Sequence, residues 1–127
     1  KGKKIVSTLL VLLLLASLPV SALAAEWDIG KGDITVNAGS GGQTVTQGDV
    51  PDSAPVITGS STENTLTINA EKDQTANVTL SDVKIDVSSE GKAAVTTTGE
   101  GNVSIELNGD NTLKSGKGHA GLEKKNG

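Results

Sequence analysis

Part of this chain is written twice, and that repetition limits its fold more than any other feature. Residues 76–100 read ANVTLSDVKIDVSSEGKAAVTTTGE, and residues 101–127 read GNVSIELNGDNTLKSGKGHAGLEKKNG. Asn77-Val78-Thr79-Leu80 aligns with Asn102-Val103-Ser104-Ile105 at an offset of 25. Val83-Lys84-Ile85 falls against Asn111-Thr112-Leu113-Lys114. Lys92-Ala93-Ala94-Val95 matches His119-Ala120-Gly121-Leu122 at an offset of 27. Three short segments recur in the same order, with turn-forming Ser, Asp, Gly and Asn between them. Repeats of this size cannot bury their own apolar face alone, so they stack into a solenoid.

Within the segments the apolar residues alternate. Val83, Ile85 and Val87 oppose Lys84 and Asp86, while Val103, Ile105 and Leu107 oppose Ser104 and Glu106. A period of two means strands with one buried face. Three such strands per repeat, joined at tight polar corners, describe one coil of an all-β parallel β-helix. Each strand pairs with its equivalent one coil away. Glu90-Gly91 and Asn108-Gly109 fall at corners, where glycine tolerates a positive φ. Trp27 is the only aromatic residue, so the core is made of Val, Ile, Leu and Ala, which suit pleated sheets. An earlier echo extends the pattern: Ile34-Thr35-Val36-Asn37-Ala38 resembles Leu66-Thr67-Ile68-Asn69-Ala70 at an offset of 32. The segment 25–64 reads as an irregular first coil or N-terminal cap, and 65–127 as regular coils. An antiparallel sandwich also accommodates short strands with turn signals; recurrence of three segments in one order favours the solenoid.

Residues 1–24 read as a separate unit. Lys1, Lys3 and Lys4 precede a leucine-dominated run from Ile5 to Val20, and Ala22 and Ala24 supply a small-x-small cleavage pattern. These are the three parts of a secretory signal peptide. The apolar run is shorter than the roughly 20 residues of a spanning helix, so the processed chain is not expected to be an integral membrane protein. Expressed in a Gram-positive host, the chain is expected outside the cell with Ala25 or Glu26 at its N-terminus. N-terminal sequencing checks this, and an intact leader held in the membrane would contradict it. With no cysteine there is neither a lipoprotein anchor nor a disulfide framework. Cleavage removes three of the eleven lysines, leaving eight against fifteen carboxylates, a net charge of −7 without arginine. Such a surface argues strongly against nucleic acid and anionic lipid as partners, since both need a cationic footprint. Lys124-Lys125-Asn126-Gly127 reads as a turn toward another coil, and the last written coil is expected to show open strand edges and an uncapped core. Further C-terminal coils of the same protein are therefore an expected partner.

NVTLSDVKIDVSSEGKAAV and NVSIELNGDNTLKSGKGHAGLEKKNG resemble the coils of bacterial, largely clostridial, surface proteins described as carbohydrate-binding-domain-containing. The resemblance covers roughly residues 56–127 through an NVT-L-x-x-V-x-I pattern and an NTL-x-x-G turn. It implies a right-handed parallel β-helix that binds pectin-like or cellulosic polysaccharide, with calcium in some members. Patterns of this kind specify a coil more than a ligand, and none of the family's metal ligands is carried over.

Catalysis has little to work with. Parallel β-helices that cleave acidic polysaccharides use an arginine or lysine base with calcium, or clustered aspartates, and arginine is absent here. Asp82 and Asp86 lie four apart, on a corner and an outer face, and read as solvated carboxylates. His119, the sole histidine, replaces Lys92 of the preceding coil and so reads as a solvent-facing corner. No nucleophile elbow, phosphate loop, zinc spacing or EF-hand loop occurs. The chain is accordingly read as non-catalytic. Trp27, Asn108 and Asn111 are the candidate sugar contacts, although Trp27 reads better as a packing residue over the first coil. A charge of −7 repels polygalacturonate unless a divalent cation bridges the two, and Asp82, Asp86 and Asp110 are the candidate calcium ligands. Two readings follow: an extracellular or cell-wall-associated polysaccharide-binding module or adhesin, and a purely structural stalk.

Overall fold

A computed structural model describes residues 25–47 and 50–125. The proposed leader, residues 1–24, lies outside the described residues. The chain forms a β-solenoid of about three turns. An irregular first coil contributes β1 (Glu26–Asp28), a 3-10 turn (Ile29–Lys31) and β2 (Ile34–Gly39). A hairpin follows, β3 (Gly42–Thr46) and β4 (Val50–Pro51). Three full coils are then β5 (Val56–Thr58), β6 (Ser60–Ser61) and β7 (Leu66–Ala70); β8 (Thr75–Ser81), β9 (Lys84–Asp86) and β10 (Val95–Thr98); and β11 (Asn102–Asn108), β12 (Thr112–Lys114) and β13 (Leu122–Lys124).

Equivalent strands stack in parallel into three sheets. The first runs β1-β5-β8-β11 and the third β12-β9-β6. The second runs β13-β10-β7-β2 and is extended by the antiparallel β3 and β4. Among the described residues, parallel pairing therefore begins at Glu26, not at residue 65, and antiparallel pairing joins β3 to β2 and β4 to β3. The alternation in sequence becomes an inside and an outside. Ile34, Val36, Leu66, Ile68, Val78, Leu80, Val83, Ile85, Val87 and Val95 line the dry interior, and burial of such aliphatic side chains is what drives the stack together. The coil offset of 27 at Val95↔Leu122 and that of 32 at Ile34↔Leu66 match the sequence alignment. The first sheet does not: Asn102 pairs with Thr75 and Ile105 with Val78, an offset of 27 instead of 25. A shift by two positions keeps every side chain on its own face. Of the two corner glycines singled out, Gly109 has a positive φ of 70° and Gly91 does not.

The two ends differ. At the N-terminal end Trp27 heads the inward column Trp27–Ile57–Leu80–Leu107, and Ile29 and Val45 are fully buried against the core. The Gln43 side chain also covers the edge of β8: its amide donates to the Asn77 carbonyl at 2.9 Å and accepts from the Asn77 N–H at 3.0 Å. This is the pair of bonds a neighbouring strand would make. At the other end Leu107 is 63% exposed and Leu122 49%.

Candidate functional site

The outward positions of the three sheets differ in chemistry. On the third sheet they are charged: Lys84 pairs in register with Thr112, and Asp86 with Lys114. On the first sheet Glu26, Asp28 and Glu106 interrupt Asn, Ser and Thr. The second sheet is different. Register places Thr46, Thr35, Thr67 and Thr96 in one row across four strands, and Thr44, Asn37, Asn69 and Thr98 in the next. No charge stands in either row until Glu123 of β13.

Strand geometry spaces neighbours within a row by about 4.8 Å and sets the rows about 7 Å apart along the strands. The sequence puts these residues there because the intervening Val36, Val45 and Ile68 are buried, which turns the flanking polar residues outward. Some positions are tied down. Thr98 Oγ1 donates to Asn69 Oδ1 at 2.8 Å, and Thr46 Oγ1 accepts from the Thr35 N–H at 2.8 Å while donating to the Thr35 carbonyl at 3.2 Å. The result is a flat, uncharged lattice of hydroxyls, amides and methyl groups. A T-x-N or T-x-T pattern at 35–37, 44–46, 67–69 and 96–98 carries this surface in the sequence. The echo at 35 and 67 is legible there, whereas its continuation into Thr96-Thr97-Thr98 has no local mark.

The residues proposed from sequence do not converge. Trp27 is half-buried in the core, and its indole N–H donates to Asp52 Oδ2 at 2.9 Å, so ring and donor are both engaged in packing. Asn111 holds a corner together: Oδ1 accepts from the Val83 N–H at 2.8 Å, and Nδ2 donates to the Leu80 and Asn108 carbonyls. Asn108 is exposed at the end of β11, and its carbonyl also accepts from the Asp82 N–H. Asp82 and Asp110 stack one coil apart at an exposed corner, where Asp82 Oδ1 accepts the Asp110 N–H at 2.9 Å. Asp82 has a positive φ of 51°, and Gly109 faces its carboxylate. Asp86 lies apart from this pair, at the end of β9, and accepts from the Ser88 hydroxyl at 2.5 Å and the Ser88 N–H at 3.1 Å. Ser88 holds the Asp86 carboxyl below its ordinary value, with a smaller contribution from Lys114. His119 is exposed and its Nδ1 sits 2.8 Å from Glu123 Oε2. Among the described residues no three His, Asp or Glu side chains converge into a metal-binding set, and no helix is long and apolar enough to cross a membrane. Comparison of the chain with protein-family models, curated proteins and solved structures finds no match.

Proposed function

We propose that this chain is an extracellular, non-catalytic module that binds polysaccharide through the outward face of its second sheet. The observation that carries the reading is the pair of uncharged Thr/Asn rows repeated across β3, β2, β7 and β10. Hydroxyl and amide groups donate and accept toward sugar hydroxyls, and a stack of hydrogen-bonded strands fixes their backbone spacing, which lowers the ordering cost of binding. With Trp27 engaged in packing, no exposed aromatic platform is offered to a sugar ring. Contacts of this kind are individually weak and gain strength by repetition along a polymer. The absence of charge from these rows favours a neutral polysaccharide over an acidic one. Calcium bridging of a pectin-like polymer would fall instead to the Asp82–Asp110 corner, where two carboxylates supply only part of the six to eight oxygens calcium takes.

Affinity electrophoresis in gels containing neutral cellulosic polymer or polygalacturonate, with calcium or with chelator, tests this. Retardation is expected on the neutral polymer and is expected to be indifferent to chelator and to moderate salt. Thr67→Val with Asn69→Ala, which keeps the strand while removing two polar groups from the middle of the rows, should weaken retardation several-fold. Calcium-dependent retardation on polygalacturonate alone would move the site to the aspartate corner. No retardation on any polymer would leave the structural reading, a rigid spacer, which stacking of near-identical coils supports by itself.

A further inference from the structure

We propose that the outward face of the second sheet also binds ice, seating the crystal surface on its uncharged Thr/Asn rows. This function goes beyond polysaccharide binding and does not rest on it. The ligand is a lattice of water, and the match is one of spacing and hydration instead of sugar chemistry.

Pairing runs parallel and in register from β2 through β7 to β10, with Ile34 beside Leu66 and Leu66 beside Val95. Outward side chains therefore repeat about every 4.8 Å across the strands and about every 7 Å along them. Hexagonal ice repeats its oxygens at distances close to both on the faces by which it grows. Thr35, Thr67 and Thr96 stand in the first row, and Thr44, Asn37, Asn69 and Thr98 in the second. Thr46 ends the first row without offering a hydroxyl, because its Oγ1 is bonded to both backbone groups of Thr35.

Threonine suits such a surface. Its hydroxyl can take the place of a lattice water, while water orders around the adjacent methyl without bonding to it. Branching at Cβ leaves χ1 few wells, and the fully buried Val36 and Ile68 hold the strands from beneath. Thr98 is fixed further by its bond to Asn69 Oδ1 at 2.8 Å. Waters on neighbouring coils are thus held at one spacing before a crystal arrives, which lowers the ordering cost of binding.

Charge supplies an independent observation. An ionised group holds its own strongly oriented hydration shell, and that orientation conflicts with a tetrahedral lattice. The other two sheets point such groups outward: Glu26, Asp28 and Glu106 on the first, and Lys84, Asp86 and Lys114 on the third. The second sheet carries none in these rows until Glu123. Of the three faces, only this one can meet ice without stripping an ion of water.

Ice grown slowly from a solution of the purified chain tests this, since growing ice rejects solutes that do not bind it. The chain is expected in the ice at a several-fold higher level than an inert protein of similar size. Thr67→Lys places a charge in the middle of the first row and should remove that enrichment while leaving the circular dichroism spectrum unchanged. Thr96→Lys does the same on the next strand, and decides the matter if Thr67→Lys fails to fold. Ser104→Lys adds the same charge to the exposed face of the first sheet and should leave the enrichment intact. A parent chain rejected from ice like the inert protein would overturn the proposal. So would enrichment that folded Thr67→Lys or Thr96→Lys retains as fully as Ser104→Lys. Retardation in polysaccharide gels without enrichment in ice would overturn ice binding alone. Enrichment in ice without such retardation would support it and remove the polysaccharide reading.

Discussion

Ile68→Asp is expected to abolish the folded state or to leave it destabilised by several kcal/mol. Ile68 is fully buried in the middle of the second sheet, with Val36 and Thr97 as its neighbours in register. A carboxylate there has no partner within the aliphatic column, and an unpaired buried charge costs several kcal/mol even after the protein relaxes. That is a large share of the roughly 5–15 kcal/mol that holds a domain folded. Ile68→Ala removes the side chain without adding charge, and should cost about 2–5 kcal/mol through lost burial and the cavity left behind. Ile105→Asp is expected to cost less than Ile68→Asp, because Ile105 is only partly buried. Glu106→Lys, one position along and exposed, should shift stability by no more than about 0.5 kcal/mol. Urea unfolding followed by circular dichroism ranks the four. Equal midpoints for Ile68→Asp and Glu106→Lys would refute the assignment of inside and outside.

Much of this architecture was legible because period-two alternation and an ordered repeat leave few arrangements open. The faces of β9 and β11 follow from alternation alone, and the offsets of 27 and 32 on the second sheet follow from matching apolar runs. The register of the first sheet departs from the sequence alignment for a physical reason. Asn69 pairs with Thr98, yet Thr75 pairs with Asn102, so the corner after β7 is longer by two than the corner after β10. Identity between NVT and NVS favours a different alignment, but the corner contacts decide where the strands begin. Gln43 was invisible for a related reason. Its amide substitutes for a strand at Asn77, far along the chain, and nothing local distinguishes it from a solvated glutamine. Asparagines at turns suit sugar contacts, which made Asn111 a candidate; in the fold its side chain serves backbone groups at Leu80, Val83 and Asn108. The Thr/Asn rows were legible only in fragments, since a surface made by four strands appears in sequence as four unconnected tripeptides.

That corner between the second and first sheets also carries the second large expected effect. Gly101→Val should destabilise the chain by about 3 kcal/mol, the upper end of ordinary overpacking costs. The Gly101 N–H donates to the Ala70 carbonyl at 2.9 Å, and the next amide, Asn102, donates to the Gln74 carbonyl at 2.8 Å. Two backbones thereby come into direct contact. A Cβ at Gly101 would run into the carbonyl oxygens of Glu71 and Gln74 and into the Ala70 side chain. Carbonyl oxygens of a hydrogen-bonded corner cannot rotate aside as a flexible side chain can, so the corner must open and both bonds stretch. Loss of that corner frees the start of β11, whose seven residues pair with β8 through Asn102↔Thr75 onward. Gly91→Ala provides the comparison. Gly91 also sits in a turn, but it lacks a positive φ and a Cβ there meets nothing, so the change should be neutral or slightly stabilising through reduced freedom of the unfolded chain. Thermal and urea unfolding of the two variants beside the parent chain decide the matter. If Gly101→Val unfolds at the same midpoint as Gly91→Ala, the close backbone crossing at this corner is wrong.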